Sequence, residues 1–304
     1  MATLIEVLVS GLALGAIYAL VGLSLNVVYI TTRVVSFAQG DIGMLVVAGT
    51  LWLGDHGGRP LAVDLVLALA GAAVVAVLVD LIAVRAIRGG VGVAAYGWIV
   101  STLGVSIVIQ NSTAMWFGTE SRGFPHVLPT GTIELFGAVI PTERLLTVAV
   151  VAALILLLAL AVAKTQWGRV ARALADNQPI AAACGVPTNW IRTSVVLVGA
   201  ALVGVAAMLS APQTFVNAYI GTSLLLNGMV AIVLGGLGNV RAGLVGGLVL
   251  GVANAIAGRY LDSTLVPYVP FVLLLVWLIF GADVRGKLAS ARAARRRDPV
   301  GVTA

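Results

Sequence analysis

Charge is scarce in this 304-residue chain: only 10% of its residues are Asp, Glu, Lys or Arg, where a soluble domain carries roughly 25%. A water-soluble enzyme of this size cannot wet its surface with so few. Disorder is excluded by the same shortage, because disordered chains are polar and highly charged. The single cysteine, Cys184, rules out an internal disulfide or a thiolate metal cluster. His56 and His126 lie in polar gaps and match no metal-ligand spacing, so no metal site is expected. A phosphate-cradling G-x-x-x-x-G-K-S/T is missing too: Lys164 follows Ala163, and Lys287 is followed by Leu288. No Ser/His or paired-carboxylate constellation suggests catalysis.

What is there is apolar. Sixty per cent of residues are hydrophobic and 36 are glycine, and the mean hydropathy is +1.09. The chain reads as an all-α integral membrane protein, a polytopic helix bundle of about eight to nine transmembrane segments at ~20 residues per span. Nine apolar runs lie near 4–30, 36–53, 62–84, 94–115, 143–164, 193–211, 222–238, 241–258 and 265–281. The first is too long for a cleaved signal and reads as a retained span. Runs 36–53 and 222–238 are glycine-interrupted and expected to be short or broken.

Lys and Arg collect on one side of this arrangement. Arg33, Arg85, Arg88, Lys164, Arg169, Arg172, Arg192, Arg241, Arg285, Lys287, Arg292, Arg295, Arg296 and Arg297 fall together. Arg59, Arg122, Arg144 and Arg259 fall opposite, and these two groups account for all 18 basic residues. The bias places the N-terminus outside and the C-terminus in the cytoplasm. Residues 1–282 then form the membrane domain, with an outer loop over 116–142 and a small hairpin around Thr132 to Val139. Residues 165–192 form the longest cytoplasmic loop. Residues 283–304 form a basic cytoplasmic tail near anionic lipid heads, not a nucleic-acid arm, since no aromatics are interleaved with it.

Ionisable groups keep to span ends: Glu6, Asp41, Asp64, Asp80, Glu143 and Asp262. Asp80 is the deepest, and Arg85 can meet it at the cytoplasmic face; an interface pair is favoured over a proton relay. Neutral polar residues do lie within spans: Asn26, Gln110, Asn111, Asn227 and Asn254. Each alone reads as an interhelical hydrogen bond, and together they make a polar interior plausible. Asn26, Gln39 and Asp41 flank the break between the first two segments and, with Asn227 and Asn254, are the candidate translocation path. A packing hydrogen bond is the equal alternative. Gly11 and Gly15, then Gly243, Gly247 and Gly251, recur every four residues and read as close helix packing, with Gly235, Gly236 and Gly238 assigned to it as well.

The loop 165–192 opens with a short helix over Trp167 to Asp176, carrying Arg169 and Arg172 one turn apart. Asn177-Gln178-Pro179 can start a second helix, and Gly185 with Pro187 can stop it. Its Ala-rich face fits either a protein groove or an ordinary interfacial turn.

At this point the residues resemble a known family. Leu25 to Tyr29, Arg33 to Asp41, and Met44-Leu45 are similar to the first signature of LivH-type permeases of branched-chain amino-acid ABC importers. Gly168-Arg169, Arg172 to Asn177, Ala181-Ala182 and Gly185-Val186 resemble that family's cytoplasmic coupling loop. Leu234 to Asn239, followed by Gly243 and Gly246-Gly247, resembles its third signature. The similarity runs over roughly residues 4–282. Departures are Gln39-Gly40-Asp41, where the family usually has His-Gly-Glu, and Gly281 to Gly286, where it usually ends on Arg-Pro-x-Gly. The resemblance implies a type II-like importer permease in the bacterial plasma (inner) membrane, and residues 1–282 as its permease domain. Its implied partners are a second homologous permease, two cytoplasmic ATPases, an extracytoplasmic solute-binding protein and the lipid bilayer, with no nucleic acid. No cofactor is expected in this chain, ATP being bound by the partners. The implied ATPase-coupling residues are Gly168, Arg169, Arg172, Ile180, Ala182, Ala183 and Gly185. A permease for urea, short amides or sugars in the same superfamily, and a passive channel or secondary transporter, remain open at this level.

The basic asymmetry generates a topology test. Single cysteines at Thr3, Thr119 and Ala293 in a Cys184→Ser background are expected to label from outside at the first two positions only. Impermeant reagent reaching Ala293 in intact cells would refute the orientation.

Overall fold

The computed structural model describes residues 2–85, 97–125, 128–129, 131–135, 138–261 and 265–279. His126, Arg88, Asp262, the basic tail 283–304 and the side chain of Arg85 lie outside the described residues. The chain is helical almost throughout. α1 spans Ala2–Thr32, α2 Gln39–Gly57, α3 Leu61–Val79 with a wide π-type turn over Asp80–Arg85, and α4 Gly97–Phe117. A two-stranded hairpin, β1 (Thr132–Leu135) and β2 (Ala138–Pro141), pairs Ile133 with Ile140. α5 spans Thr142–Lys164, α6 Gln166–Asp176, α7 Gln178–Ala183 and α8 Thr188–Ser210. α9 spans Ile220–Gly235, α10 Val240–Tyr260 and α11 Val266–Ile279. Each of the nine apolar runs coincides with one helix. Among the described residues, five helices are both long and apolar enough to cross a bilayer, and α9 and α11 are apolar but shorter. The 16 residues of α9 make a helix of about 24 Å against the ~30 Å hydrocarbon core.

Lipid gives no hydrophobic drive for helices to associate, so packing and hydrogen bonds must do it. The helices accordingly turn small or polar residues inward. α3 buries Ala68, Ala72 and Ala76 and turns Val66, Leu67, Val74 and Leu78 outward. α4 buries Thr102, Ser106 and Thr113, while Val100, Leu103, Ile107 and Val108 face out. The Thr102 and Thr113 hydroxyls donate back to the Trp98 and Ile109 carbonyls at 2.8 Å, so no polar group on that face is left bare.

α1 is the central helix, packed on α5, α8, α9 and α10. Its closest neighbour is α10, which runs antiparallel to it. A Cβ on Gly11 would lie 2.8 Å from the Val252 Cα, and one on Gly15 2.8 Å from the Leu248 Cα. Gly247 faces Ala19 and Gly251 faces Gly15, backbone against backbone. Gly236 and Gly238, grouped above with helix packing, do something else: φ of 104° and 86° puts both in the turn between α9 and α10. A Cβ on Gly238 would meet nothing.

The two ends of α1 differ. Near its start, the Glu6 carboxylate accepts from the Val139 amide of the hairpin at 3.2 Å. At its other end, Arg33 donates to the Ala175 carbonyl at the close of α6 at 2.9 Å. The hairpin and the loop helices therefore cap opposite ends of the bundle. Asp80 pairs with Arg192 of α8 at 3.2 Å, with side chains 3% and 8% exposed. That partner lies 112 residues away, and the pair is buried, not a snorkelling one at the surface.

Gly15→Ile is expected to force α1 and α10 apart and destabilise the chain by about 1–3 kcal/mol, the usual cost of overpacking. Gly71→Ala on α3, where nothing lies within 4 Å, should be neutral or stabilising by up to about 1 kcal/mol. Thermal unfolding of the two variants in detergent measures the contrast.

Candidate functional site

The first candidate region is the break between α1 and α2. The chain leaves α1 with Arg33 in the left-handed region at φ 55°, unusual for a residue with a Cβ. Val34, Val35, Ser36 and Ala38 are buried, so non-helical backbone lies within the protein, a setting where it is tolerated at membrane depth. Its polar groups are met locally: Thr32 Oγ1 exchanges bonds with the Val34 N–H (3.3 Å) and carbonyl (3.2 Å), and the Gln39 N–H donates to Ser36 O at 3.3 Å. The Gln39 side chain donates to Ser24 Oγ at 3.3 Å. α2 thus starts beside the middle of the bundle instead of level with the end of α1.

Asp41, 1% exposed, is held by α4. Ser106 Oγ donates to one carboxylate oxygen and Gln110 Nε2 to the other at 3.0 Å. Gln110 also donates to Thr222 Oγ1 of α9 at 2.9 Å. At the same level Gly40 and Gly221 touch; a Cβ on Gly40 would lie 2.7 Å from the Leu225 Cβ. A carboxylate is thereby bonded by neutral donors from a neighbouring helix, tying α2, α4 and α9 together.

The second region is a cavity of about 1140 Å³ between α1, α5, α9, α10 and α11. On α1 its wall is Glu6, Ser10, Leu14 and Tyr18, one residue every four, so it extends about 18 Å along the helix. Asn227 and Asn254 line it, as does Thr222, so Gln110 connects the cavity wall to Asp41. Asn26, Gln39 and Asp41 do not line it. Asn26 is buried and accepts from the Gly238 N–H at 3.0 Å, securing the α9–α10 turn to α1. The five candidate path residues therefore divide: two at the cavity, one reached from it through Gln110, and two within helix packing.

The third region is the helix pair α6–α7. Thr165 breaks the chain after α5 and caps α6 through the Gly168 N–H at 3.1 Å. A Cβ on Gly168 would run into the Val162 backbone, so α6 can fold tightly against the end of α5. Asn177 caps α7 through the Ile180 N–H at 3.2 Å, and Gly185 ends it with φ 80°. Ala181 is buried with Ala171, Leu174, Ile191 and Val195. Ile180, Ala182 and Ala183 stand exposed beside Arg169 and Arg172, and so does Trp190 at the start of α8. Arg33 and Ser106 were not among the candidate site residues, because each matters through a residue far along the chain, Ala175 for Arg33 and Asp41 for Ser106. No grouping of His, Cys, Asp and Glu suited to a metal occurs among the described residues.

Gln110→Leu removes the donor shared by Asp41 and Thr222. Leaving those acceptors unfilled is expected to cost about 1–3 kcal/mol, read as a lower Tm of the purified chain. An unchanged Tm would mean the bridge contributes nothing to holding α4.

Known proteins resemble this chain over most of its length. The LivH high-affinity branched-chain amino acid transport system permease of Escherichia coli K12 is 28% identical over 292 residues, covering 91% of this chain and 94% of that relative. The same values hold for LivH of Salmonella typhimurium. BraD of Pseudomonas aeruginosa, with the same description, is 29% identical over 290 residues, covering 91% and 93%. Among solved structures, a chain of PsaBC from Streptococcus pneumoniae in complex with Fab overlays with a TM-score of 0.47 at 16% identity, over 89% of each chain. A family model described as branched-chain amino acid transport system / permease component matches residues 7–281. This chain belongs to that family of multi-pass membrane transport subunits.

Proposed function

We infer that this chain is a permease subunit of an ATP-driven importer for branched-chain amino acids. The relatives carry that substrate in their names, and the chain's own features are consistent with it. The observation that carries the reading is placement. The cavity opens near the hairpin, while α6 and α7 cap the opposite end, with α1 running between them. Solute would enter at one end and force would arrive at the other. In the orientation that the basic residues favour, the hairpin end is extracytoplasmic and receives a solute-binding protein. The α6–α7 end is cytoplasmic and docks an ATPase, one of two, with a second homologous permease beside this one.

Ile180, Ala182 and Ala183 are the knobs for an apolar groove on the ATPase, flanked by Arg169 and Arg172. Arg33 gives such a push a route inward. Its side chain binds the last turn of α6 and its backbone begins the α1–α2 break, so displacement of α6 acts on the segment leading to Gln39 and Asp41. Asn227, Asn254 and, through Gln110, Asp41 are the polar residues of the path.

Ala182→Asp puts a charge into the proposed contact, where an unpaired charge is costly. ATPase co-purification is expected to fall by about tenfold or more, with the membrane helices still folded by circular dichroism. Gly185→Val should act in the same direction by straining the stop of α7. Wild-type co-purification together with wild-type solute-stimulated hydrolysis in Ala182→Asp would remove α7 as the coupling element.

A further inference from the structure

The cavity is charged at one end only. Glu6, Arg144 and Arg259 line its mouth, at the hairpin end, and Tyr18, Asn227 and Asn254 line its floor. Between them the wall is apolar, with Val7, Leu14, Leu226 and Phe271. Glu6 and Arg144 meet adjacent turns of α1. Arg144 donates to Ser10 Oγ, and Ser10 Oγ donates to the Glu6 carbonyl at 2.6 Å. They nevertheless form no ion pair among the described residues. The hydrogen bond to the Glu6 carboxylate is the single one from the Val139 amide. An acid and a base are thus held close together, both partly buried, and each retains capacity for another charged partner.

The floor is neutral. The Asn227 side-chain amide donates to the Ser223 carbonyl at 2.8 Å and that of Asn254 to the Tyr18 hydroxyl at 3.5 Å.

We propose that the mouth is a binding site for the head group of a free aliphatic α-amino acid. Arg144 takes the carboxylate, Glu6 takes the ammonium, and the side chain lies on Val7, Leu14 and Phe271. An α-amino acid carries its two charged groups on one carbon, which suits an acid and a base presented one helical turn apart. Urea and short amides carry neither charge, and a simple carboxylic acid would meet Arg144 but be repelled by Glu6. This site rests on the reading of the chain as an amino-acid permease and adds a selection step made by the permease itself, separate from the binding protein.

The test uses the permease–ATPase complex in nanodiscs without binding protein, probed with radiolabelled leucine. Wild type is expected to bind it saturably, with displacement by unlabelled leucine but not by isovaleramide. E6Q keeps an acceptor for the Val139 amide and loses the charge; R144Q loses its charge and R144K keeps it. E6Q and R144Q should each weaken binding by about tenfold or more, the scale of a lost charge-assisted bond, and R144K should retain most of it. If R144Q fails to assemble, E6Q decides alone. No saturable binding in wild type, or wild-type binding in E6Q, overturns the site. So does a variant that loses uptake but binds leucine normally, since that reports docking of the binding protein. A separate uptake assay, with binding protein and ATP, guards the underlying reading. Wild type that hydrolyses ATP but moves no leucine overturns the permease assignment, whereas normal uptake with unaffected variants overturns the mouth site alone.

Discussion

The approach of α1 to α10 is the contact on which the rest of the bundle depends. With Gly11 and Gly15 on one helix and Gly247 and Gly251 on the other, the two backbones touch without side chains between them. In lipid, dispersion at such short range substitutes for a missing hydrophobic drive. It lets α1 stand at the centre while α5, α8 and α9 also reach it. Only a central α1 can have one end against the hairpin and the other against α6.

The buried break after α1 depends on that frame. Non-helical backbone between Arg33 and Ala38 would be intolerable against lipid, but here Thr32, Ser36 and Gln39 supply bonds and neighbouring helices exclude the hydrocarbon. The left-handed Arg33 costs about 1–2 kcal/mol, and its guanidinium gains the Ala175 carbonyl. Local strain and long-range contact thus fall on one residue, where the membrane helices join the loop helices.

Much of the architecture was legible because it depends on short-range rules. Hydropathy located nine helices, and Asn177, Pro179 and Gly185 delimited α7 through capping chemistry that needs no tertiary context. The hairpin around Thr132 to Val139 was equally local. What escaped was every partner fixed by packing. Asp80 pairs with Arg192 of α8, 112 residues on, which no local rule foresees; the Arg85 side chain lies outside the described residues. Asp41 looked like a path residue and is bonded by Ser106 and Gln110 of α4, far along the chain. Gly236 and Gly238 were grouped with the packing glycines, and only their backbone angles reveal a turn. The cavity had no sequence signature either, since its walls come from five helices and the chain before α9, with polar residues scattered among most of them.

The late start of α9 shapes the outer part of that cavity. Thr222, at the top of α9, is level with Gln110, and Gln110 lies seven residues before Phe117 ends α4, or about 10 Å below that end. Non-helical chain takes the place of further α9 turns there: Val216 and Ala218 are buried in it, and Thr214 and Tyr219 reach the cavity wall. The residues from Thr214 to Tyr219 act as a spacer whose extent is constrained even where its composition is free. Across relatives of this fold, insertions and deletions next to α9 should therefore be rarer than substitutions there, because an added turn would displace a stretch of the chamber's wall.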